Sequence, residues 1–316
     1  MKKNIAIIVG GDSVEQKISI KSGENFYKNV DKKKFNPFLV FYTVNKWFIL
    51  KKKSSFEINE KDFSIVFEDK KIFFNGVVIM IHGSPGETGE LCNYFESLNI
   101  PYSSSNQKAS ELTFNKFKCN KFLKKKKILV PISSVNKIIK KIKFPCIVKP
   151  INSGSSFGVS KIKKETELRK GIEIAKKIGS DFMIEEFISG RELTCAVHNL
   201  NENKITTLPI TEIITEREIF DYEAKYLGLS KEITPAKINE RLKKNIEEIS
   251  KNAYRVLNLN GIVRFDFIIK NKVPYLIEVN TIPGFSQESI VPKMIIESGK
   301  TIKEFTTDMI EKITLS

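Results

Sequence analysis

The sequence has few of the residues that build zinc sites and disulfide frameworks. It contains 2 histidines and 4 cysteines in 316 residues, and Cys92, Cys119, Cys146 and Cys195 stand singly. No pair of cysteines has the spacing of metal ligands or of a disulfide framework, so we expect reduced thiols in or near the core. Two histidines are too few for a zinc site.

Long apolar runs are also missing, which excludes a membrane-spanning helix. The apolar run Ile5–Val9 is short, and Gly10-Gly11-Asp12-Ser13 follows it without the small-residue cleavage site of a secretory signal. We therefore interpret this run as a first β-strand. We expect a cytoplasmic protein with no membrane partner.

Charge is strongly unbalanced, with a formal net charge of +16. This excess permits an alternative in which the protein binds nucleic acid and uses its fold as a scaffold. However, the basic residues are mostly lysine and are spread along the whole chain. No helix-turn-helix pattern and no basic stripe interleaved with aromatic residues is present, so we expect no nucleic-acid partner.

A predicted hairpin near the C-terminal end of the chain is the most informative stretch. Gly261–Lys270 and Val273–Asn280 are rich in β-branched and aromatic residues, and the turn between them falls at residues 270–272. We centre the hairpin on Lys272. One face is then predicted to be core, made of Val263, Phe265, Phe267, Ile269, Tyr275, Ile277 and Val279.

The opposite face of the same hairpin carries charge. Asp266 is predicted to face Glu278, and Arg264 to face Asn280, with all four side chains on one side. Two directly opposed carboxylates lie about 5 Å apart at Cβ, where like charges repel. A divalent cation is the simplest remedy, because Mg²⁺ binds carboxylates, phosphate oxygens and water. A solvated sheet face with ordinary surface charges remains the alternative.

Two loops near the N-terminus follow predicted strands of an open parallel sheet, whose carboxyl-terminal edge is where such sheets bind ligands. Glu15 lies between the strand Ile5–Val9 and a predicted helix from about Ser19. It fits either a ligand for a substrate ammonium or an acid favoured by the helix dipole. His82 follows the strand Val77–Ile81, and it lines the site or has a structural role.

Two further loops suggest nucleotide binding. Residues 151–157 form a small-residue turn between predicted strands that could fold over phosphates, with Lys149 on the preceding strand supplying a charge. A plain hairpin loop is the alternative. Thr215–Thr234 has no clear period, and a charged loop of this length is typical of a functional lid or a linker.

Together these segments resemble the D-alanine–D-alanine ligases of the ATP-grasp superfamily, from Ile5 to about Gly299. The motifs that carry the resemblance occur in the family's order: residues 10–15, 149–158, 222–226, 264–266, 278–281 and 283–284. The resemblance implies an α/β (α+β) ATP-grasp fold. An N-terminal open parallel α/β domain (1–104) is followed by two α+β domains (105–184 and 185–316) that clasp ATP.

The resemblance also implies roles on the nucleotide side. The implied cofactors are ATP and Mg²⁺ or Mn²⁺, with two metal ions. The implied metal ligands are Asp266, Glu278 and Asn280. The implied nucleotide ligands are Lys116 and Lys149 at the phosphates, Lys225 in the lid, and Glu185 and Glu192 at the adenine and ribose.

On the substrate side, the resemblance implies that Glu15 holds the ammonium of the first D-alanine and is linked to Ser155 and Tyr226. Arg264 would stabilise the transferring phosphoryl group. Gly284 and Ser289 would surround the second substrate's carboxylate, and His82 would line the site.

The implied reaction proceeds through an acyl phosphate to D-alanyl-D-alanine for peptidoglycan, in a homodimer. An alternative is another ATP-grasp ligase, with D-lactate or D-serine as second substrate, although Tyr226 favours D-alanine over D-lactate. A degenerate ligase that only binds its ligands is a further alternative, which the intact site residues argue against.

Overall fold

The computed structural model describes residues 2–44, 46–51, 54–179, 181–200, 204–215 and 230–315. Within these ranges the helices are α1 (Gln16–Asn29), α2 (Glu90–Ser97), α3 (Gln107–Phe114), α4 (Lys116–Lys125), α5 (Leu168–Ile178), α6 (Glu240–Val256), α7 (Ile290–Glu297) and α8 (Ile302–Leu315). None of these helices combines the length and the apolar character needed to cross a membrane.

The first sheet uses strands β1 (Lys3–Gly10), β2 (Phe35–Thr43), β3 (Lys46–Lys51), β4 (Ser54–Asn59), β5 (Ser64–Phe67), β6 (Lys70–Phe73) and β7 (Gly76–Ile79). Strands β2, β1 and β7 are parallel neighbours, as predicted. The hairpins β3 to β6 extend the sheet in antiparallel fashion. The sequence analysis assigned no function to most of this extension.

The second sheet has the order β10-β9-β11-β8 and is antiparallel. Its strands are β8 (Ser133–Val135), β9 (Cys146–Pro150), β10 (Ser160–Ile162) and β11 (Phe182–Glu186). Helix α5 packs against one face through an apolar cluster that includes Ala175, Val148 and Ile184. The predicted boundary between residues 184 and 185 falls inside β11, so we move it to the turn after Glu186 and keep the three-domain division as a proposal.

The third sheet runs β15-β14-β12-β16-β17, with a short β13 paired to β12. Its strands are β12 (Arg191–His198), β13 (Thr206–Thr207), β14 (Thr211–Thr215), β15 (Ser230–Ile233), β16 (Ile262–Lys270) and β17 (Val273–Asn280). Strands β14 and β15 pair at the two ends of the predicted lid. The lid prediction was therefore too long at both ends, and residues 216–229 lie outside the described residues.

The hairpin β16–β17 has the predicted pairing at the charged end, where Arg264 is opposite Asn280 and Asp266 is opposite Glu278. Near the turn the prediction was one residue wrong. The turn residues are Asn271 and Lys272, both with positive φ (51° and 66°), as a two-residue hairpin turn requires.

The register differs between the two ends of the hairpin because the hairpin contains a β-bulge. The pairing shifts between Asp266 and Phe267, so that Phe267 is opposite Leu276 and Ile277 is the extra residue. Leu276 is therefore in the core, at 1% exposure, whereas Tyr275 and Ile277 are only partly buried. The prediction that these two residues are core was wrong because a bulge reverses the alternation of faces.

All 4 cysteines are free and buried, which confirms the prediction of reduced thiols in the core. The core itself is divided among the sheets, with the largest clusters beneath the first and third sheets. The predicted mixed α/β class is confirmed. The three sheets leave an open cleft between the second and the third.

Candidate active site

The cleft between the second and third sheets encloses a volume of about 120 Å³. It brings together six residues that the sequence analysis had selected from distant parts of the chain: Lys116, Lys149, Glu185, Glu192, Asp266 and Glu278. Its apolar walls were not predicted as part of the site. They include Ile147, Val159, Phe187, Ile188, Phe267, Ile268 and Ile277.

Lys149 and Glu185 form a buried ion pair on the second sheet. They lie diagonally across β9 and β11, with 2.6 Å between Lys149 Nζ and Glu185 Oε1. Their exposures are 5% and 3%. Glu185 Oε2 is buried and accepts no hydrogen bond from the described residues. Lys149 thus brings a positive charge to the lining of the cleft, and Glu185 Oε2 brings an acceptor that no described residue uses.

Lys116 lies at the start of α4, where the Asn115 side chain caps the helix by accepting from Lys118 N. Its Nζ is 2.9 Å from Glu278 Oε1 and also donates to the Ser153 carbonyl. Burial alone would lower the pKa of Lys116, but the Glu278 carboxylate outweighs it and the pKa is raised. Lys116 is therefore a permanent cation that links the third sheet to the loop after β9.

Asp266 is held by four hydrogen bonds. Arg264 binds it bidentately, with Nε–Oδ1 and Nη2–Oδ2 distances of 2.8 Å. Thr194 donates to Oδ1 at 2.7 Å, and the Asn280 amide donates to Oδ2 at 3.0 Å. Burial would raise the pKa of Asp266, but the Arg264 guanidinium holds it below the usual range.

The two opposed carboxylates are therefore each neutralised by a basic side chain. Lys116 pairs with Glu278, and Arg264 pairs with Asp266. A divalent ion, the simplest remedy inferred from the sequence, is therefore not needed to make this pair of carboxylates tolerable. The sequence analysis had placed Lys116 near the phosphates of a nucleotide but had not paired it with Glu278.

The donor set fits a hard cation. Asp266, Glu278 and the Asn280 amide supply oxygen ligands on one sheet face, and Mg²⁺ typically takes one or two carboxylates and completes its shell with phosphate and water. Within the described ranges, no cluster of three or more His, Cys, Asp or Glu side chains could hold a metal ion. An ion at this face would therefore depend on oxygens from a bound ligand.

Glu15 lies in the loop between β1 and α1 and is buried, at 7% exposure. The Ser155 hydroxyl donates to Glu15 Oε1. Ser155 and Ser156 both have positive φ, at 47° and 59°, which is costly for residues other than glycine. The hydrogen bond to Glu15 helps to hold this loop, so the turn after β9 reaches from the cleft to the N-terminal domain.

We expect Gly154→Ala to disrupt this contact. A Cβ at position 154 would collide with Glu15 Oε2, whereas the backbone there lies outside the left-handed region and tolerates alanine. Displacing Glu15 by about 1 Å should lower kcat/KM by up to about 10²-fold in a steady-state assay. Gly179→Ala is the control, because a Cβ there makes only ordinary contacts. Equal activity of the two variants would contradict the role of the Glu15–Ser155 contact.

His82 is a buried neutral histidine. Nδ1 lies 2.8 Å from the Ile282 carbonyl, which can only accept, so Nδ1 carries the proton. Nε2 is then the acceptor for the Ser22 hydroxyl at 3.3 Å. Burial lowers the pKa of His82, against the opposing effect of Glu15. The ring therefore joins the N-terminal domain to the loop after β17.

Gly284 and Ser289 lie at the end of that loop, close to each other. A Cβ on Gly284 would lie 2.9 Å from Ser289 Oγ. Ser289 is the residue before α7, and its hydroxyl accepts from Ser286 N at 3.1 Å. Gly284 and Ser289 therefore lie at the N-terminal end of α7, and such a helix end favours a nearby carboxylate.

Glu87 was missed by the sequence analysis. It is partly buried and accepts from the backbone N–H groups of Gly83 at 2.9 Å and of Ile282 at 3.3 Å. Burial, reinforced by the Glu15 charge, raises the pKa of Glu87 to about 7. Its position five residues after His82 in a Gly-rich loop was the only signal in the sequence.

The raised pKa of Glu87 predicts that the stability of the folded protein depends on pH. Because its pKa is 4.5 ordinarily and about 7 in the fold, the folded protein holds a proton that the unfolded chain lacks between these values. The contribution to the free energy of unfolding is present at low pH and is lost as pH rises through 7. The free energy of unfolding of Glu87→Gln relative to wild type should therefore increase as pH rises from 5 to about 7 in urea titrations, and should change little above that. Parallel curves for the two proteins would contradict the shifted pKa.

The remaining predicted site residues, Lys225 and Tyr226, lie outside the described residues.

Two models of a known protein family match the chain over most of its length. The sequence model "D-ala D-ala ligase N-terminus" matches residues 4–105, and "D-ala D-ala ligase C-terminus" matches residues 109–311. The chain belongs to the D-alanine–D-alanine ligase family.

Relatives within the family match the chain from end to end. The D-alanine–D-alanine ligase of Azobacteroides pseudotrichonymphae is 42% identical, covering 98% of this chain and 100% of its own. That of Flavobacterium johnsoniae is also 42% identical, covering 98% of both chains. The resemblance identified from the sequence motifs is confirmed.

Solved structures of the family share the fold. The VanG D-Ala:D-Ser ligase from Enterococcus faecalis has a TM-score of 0.86 and 26% identity, over 99% of this chain and 100% of its own. The Bacillus anthracis D-alanine–D-alanine ligase complexed with ATP has a TM-score of 0.78 and 27% identity, over 99% and 97%. The predicted ATP-grasp fold is confirmed.

Proposed function

We propose that the protein joins two D-alanine molecules to D-alanyl-D-alanine, with ATP hydrolysed to ADP and phosphate, for peptidoglycan synthesis. Full-length identity of 42% to D-alanine–D-alanine ligases carries this proposal. The cleft supports it, since it places basic, acidic and apolar groups where a nucleotide needs them. An adenine ring would lie between the apolar walls.

The nucleotide would bind along the cleft from Glu185 to Asp266. Glu185 Oε2, buried without a hydrogen bond from the described residues, would accept from the adenine amine. Glu192, on the third sheet, would accept from ribose hydroxyls. Lys116 and Lys149 would contact the phosphates, and Lys225 would approach the γ-phosphate from the lid.

Asp266, Glu278 and Asn280 would hold Mg²⁺ or Mn²⁺, of which we expect two ions. When bound, the metal neutralises charge on the phosphate oxygens. Arg264 would contribute a cation at the same place from the protein itself. Its bidentate bond to Asp266 holds the guanidinium at this face of the sheet, where it would lie next to the phosphoryl group in transfer.

The first D-alanine would bind with its ammonium on Glu15, in the pocket closed by Ser155, His82 and, from the lid, Tyr226. Its carboxylate oxygen attacks the γ-phosphorus, and ADP leaves with the bridging oxygen. The product of this step is an acyl phosphate. A closed lid excludes water, which would otherwise hydrolyse this intermediate.

The second D-alanine would bind with its carboxylate at Gly284 and Ser289, where the first turn of α7 presents N–H groups. Its neutral amine attacks the acyl carbon, and phosphate leaves.

We propose further that the enzyme is a cytoplasmic homodimer with three domains, 1–104, 105–186 and 187–316, and that it has no nucleic-acid partner.

The test is to incubate the purified protein with ATP, Mg²⁺ and D-alanine, and to measure ADP and the dipeptide by mass spectrometry. ADP release that saturates with D-alanine and yields the dipeptide is the expected result. No ADP release with D-alanine would overturn the proposal. Retention on heparin without ADP release would instead support the nucleic-acid alternative.

A second candidate is a ligase that adds D-serine as second substrate. The similarity to the VanG D-Ala:D-Ser ligase favours including it. Supplying D-alanine with D-serine or D-lactate in the same assay, and measuring the ratio of products, distinguishes the candidates. We expect D-alanyl-D-alanine to dominate.

A further inference from the structure

The segment that follows β17, residues 281–286, connects the Asp266–Glu278 face to the second-substrate pocket. It is anchored to the N-terminal domain at several points. Phe285 N donates to Ser22 Oγ at 3.0 Å, and the Asn25 amide donates to the Phe285 carbonyl at 2.8 Å. Three residues earlier in the same segment, the Ile282 carbonyl accepts a hydrogen bond from His82.

Glu87 makes a different contact, because its two carboxylate oxygens accept hydrogen bonds from the backbones of two different loops. Oε2 accepts from Gly83 N, in the loop beside Glu15, and Oε1 accepts from Ile282 N, in residues 281–286. Ile282 is therefore held on both sides, its N–H by Glu87 and its carbonyl by His82. Both holding side chains belong to the loop 82–87.

These contacts define the width of the pocket in which D-alanine is proposed to bind. On one side, a Cβ at Gly83 would lie 3.7 Å from Glu15 Oε2, so this loop forms the wall next to the ammonium ligand. On the other side, residues 281–286 lead to Gly284. The Glu87 carboxylate and the His82 ring together hold Ile282 against the loop 82–87, and of the two only Glu87 also binds the backbone of Gly83 beside Glu15.

We propose that Glu87 is a positioning residue for substrate selection, which fixes the loop 82–87 against residues 281–286 and so sets the size of the D-alanine pocket. This inference rests on the proposed function. A pocket can discriminate a methyl side chain from a slightly larger one only if its walls cannot separate, because the intrinsic difference in binding is small. Glu87 touches neither substrate, and it acts through the backbones of Gly83 and Ile282.

The test compares Glu87→Gln, Glu87→Ala and Glu87→Asp with wild type at pH 8, above the pKa of about 7 that burial gives Glu87. Glutamine keeps the size of the side chain and one oxygen acceptor, whereas alanine removes both acceptors. Glu90→Gln is the matched control. Glu90 is an exposed acid three residues further on, whose side chain accepts from Thr88.

We expect Glu87→Gln to raise the KM for D-alanine about tenfold, and Glu87→Ala to raise it further, which corresponds to the loss of one and of two hydrogen bonds. The KM for ATP should stay within about twofold of wild type. In competition assays, the fraction of D-alanyl-D-serine should increase in the same order. Glu90→Gln should match wild type in every measurement.

An unchanged D-alanine KM and an unchanged product ratio in folded Glu87→Gln would overturn the proposal. So would an equal rise in the KM values for D-alanine and ATP, since that indicates general loosening. If Glu87→Gln does not fold, Glu87→Asp, which keeps the charge on a shorter side chain, is subject to the same two criteria. Failure of the proposed function would be separate, since wild type itself would then release no ADP with D-alanine.

Discussion

Asp266→Asn should reduce kcat by about 10²–10³-fold, the usual cost of removing one group that organises charge in a transition state. The substitution keeps the shape of the side chain but removes the charge that binds Arg264 bidentately. It also removes one carboxylate from the proposed metal site. Steady-state assays over a range of Mg²⁺ concentrations would measure the loss, together with a weaker dependence on Mg²⁺.

Asp62→Asn is the matched control for this experiment. Asp62 is also paired with a basic side chain, Lys71 at 2.6 Å, but the pair lies on the outer hairpins of the first sheet. The control should retain full activity. A rate close to wild type in folded Asp266→Asn would eliminate both the metal assignment and the role of Asp266 in holding Arg264.

Lys149→Met should have the largest effect on stability, about 3–5 kcal/mol, because it leaves the buried Glu185 carboxylate without the cation that pairs with it among the described residues. Glu185 is 3% exposed, and its second oxygen already accepts no hydrogen bond from the described residues. Urea unfolding would measure the loss. ATP binding, followed by calorimetry where the variant remains folded, should be lost as well.

The double variant Lys149→Met with Glu185→Gln separates the two effects. Removing the charge of Glu185 should recover most of the stability, whereas ATP binding should remain lost because the phosphate-side cation is still missing. Lys34→Met, which breaks an exposed ion pair with Glu311, should leave the unfolding midpoint unchanged. A double variant no more stable than Lys149→Met would contradict the buried-pair explanation.

The basic character of the chain does not require a separate function. Within the cleft, Lys149 is buried, Lys116 is partly buried at 13% side-chain exposure, and both are paired with acids. Pairs elsewhere, such as Lys34 with Glu311 and Lys293 with Glu232, involve lysines that are 54% and 44% exposed. The two groups of ion pairs differ in burial, and only the lysines of the less exposed pairs have a role in the proposed reaction.

The sequence alone determined the family and most of the candidate site. Centring the hairpin on Lys272 placed Asp266 opposite Glu278, because the bulge at Ile277 offsets the one-residue error at the turn. The order of short motifs identified the family and, through it, the lysines and acids of the cleft. These are properties of contiguous segments, which local rules and motif order can reach.

Only the tertiary structure decided which distant residues meet. The bulge at Ile277 moved Leu276 into the core, and nothing in the alternation of the strand signals an extra residue. The pairing of Lys116 with Glu278 and the bond from Glu87 to Ile282 join segments 162 and 195 residues apart. Such contacts depend on how the sheets pack, which no pattern within a single segment encodes.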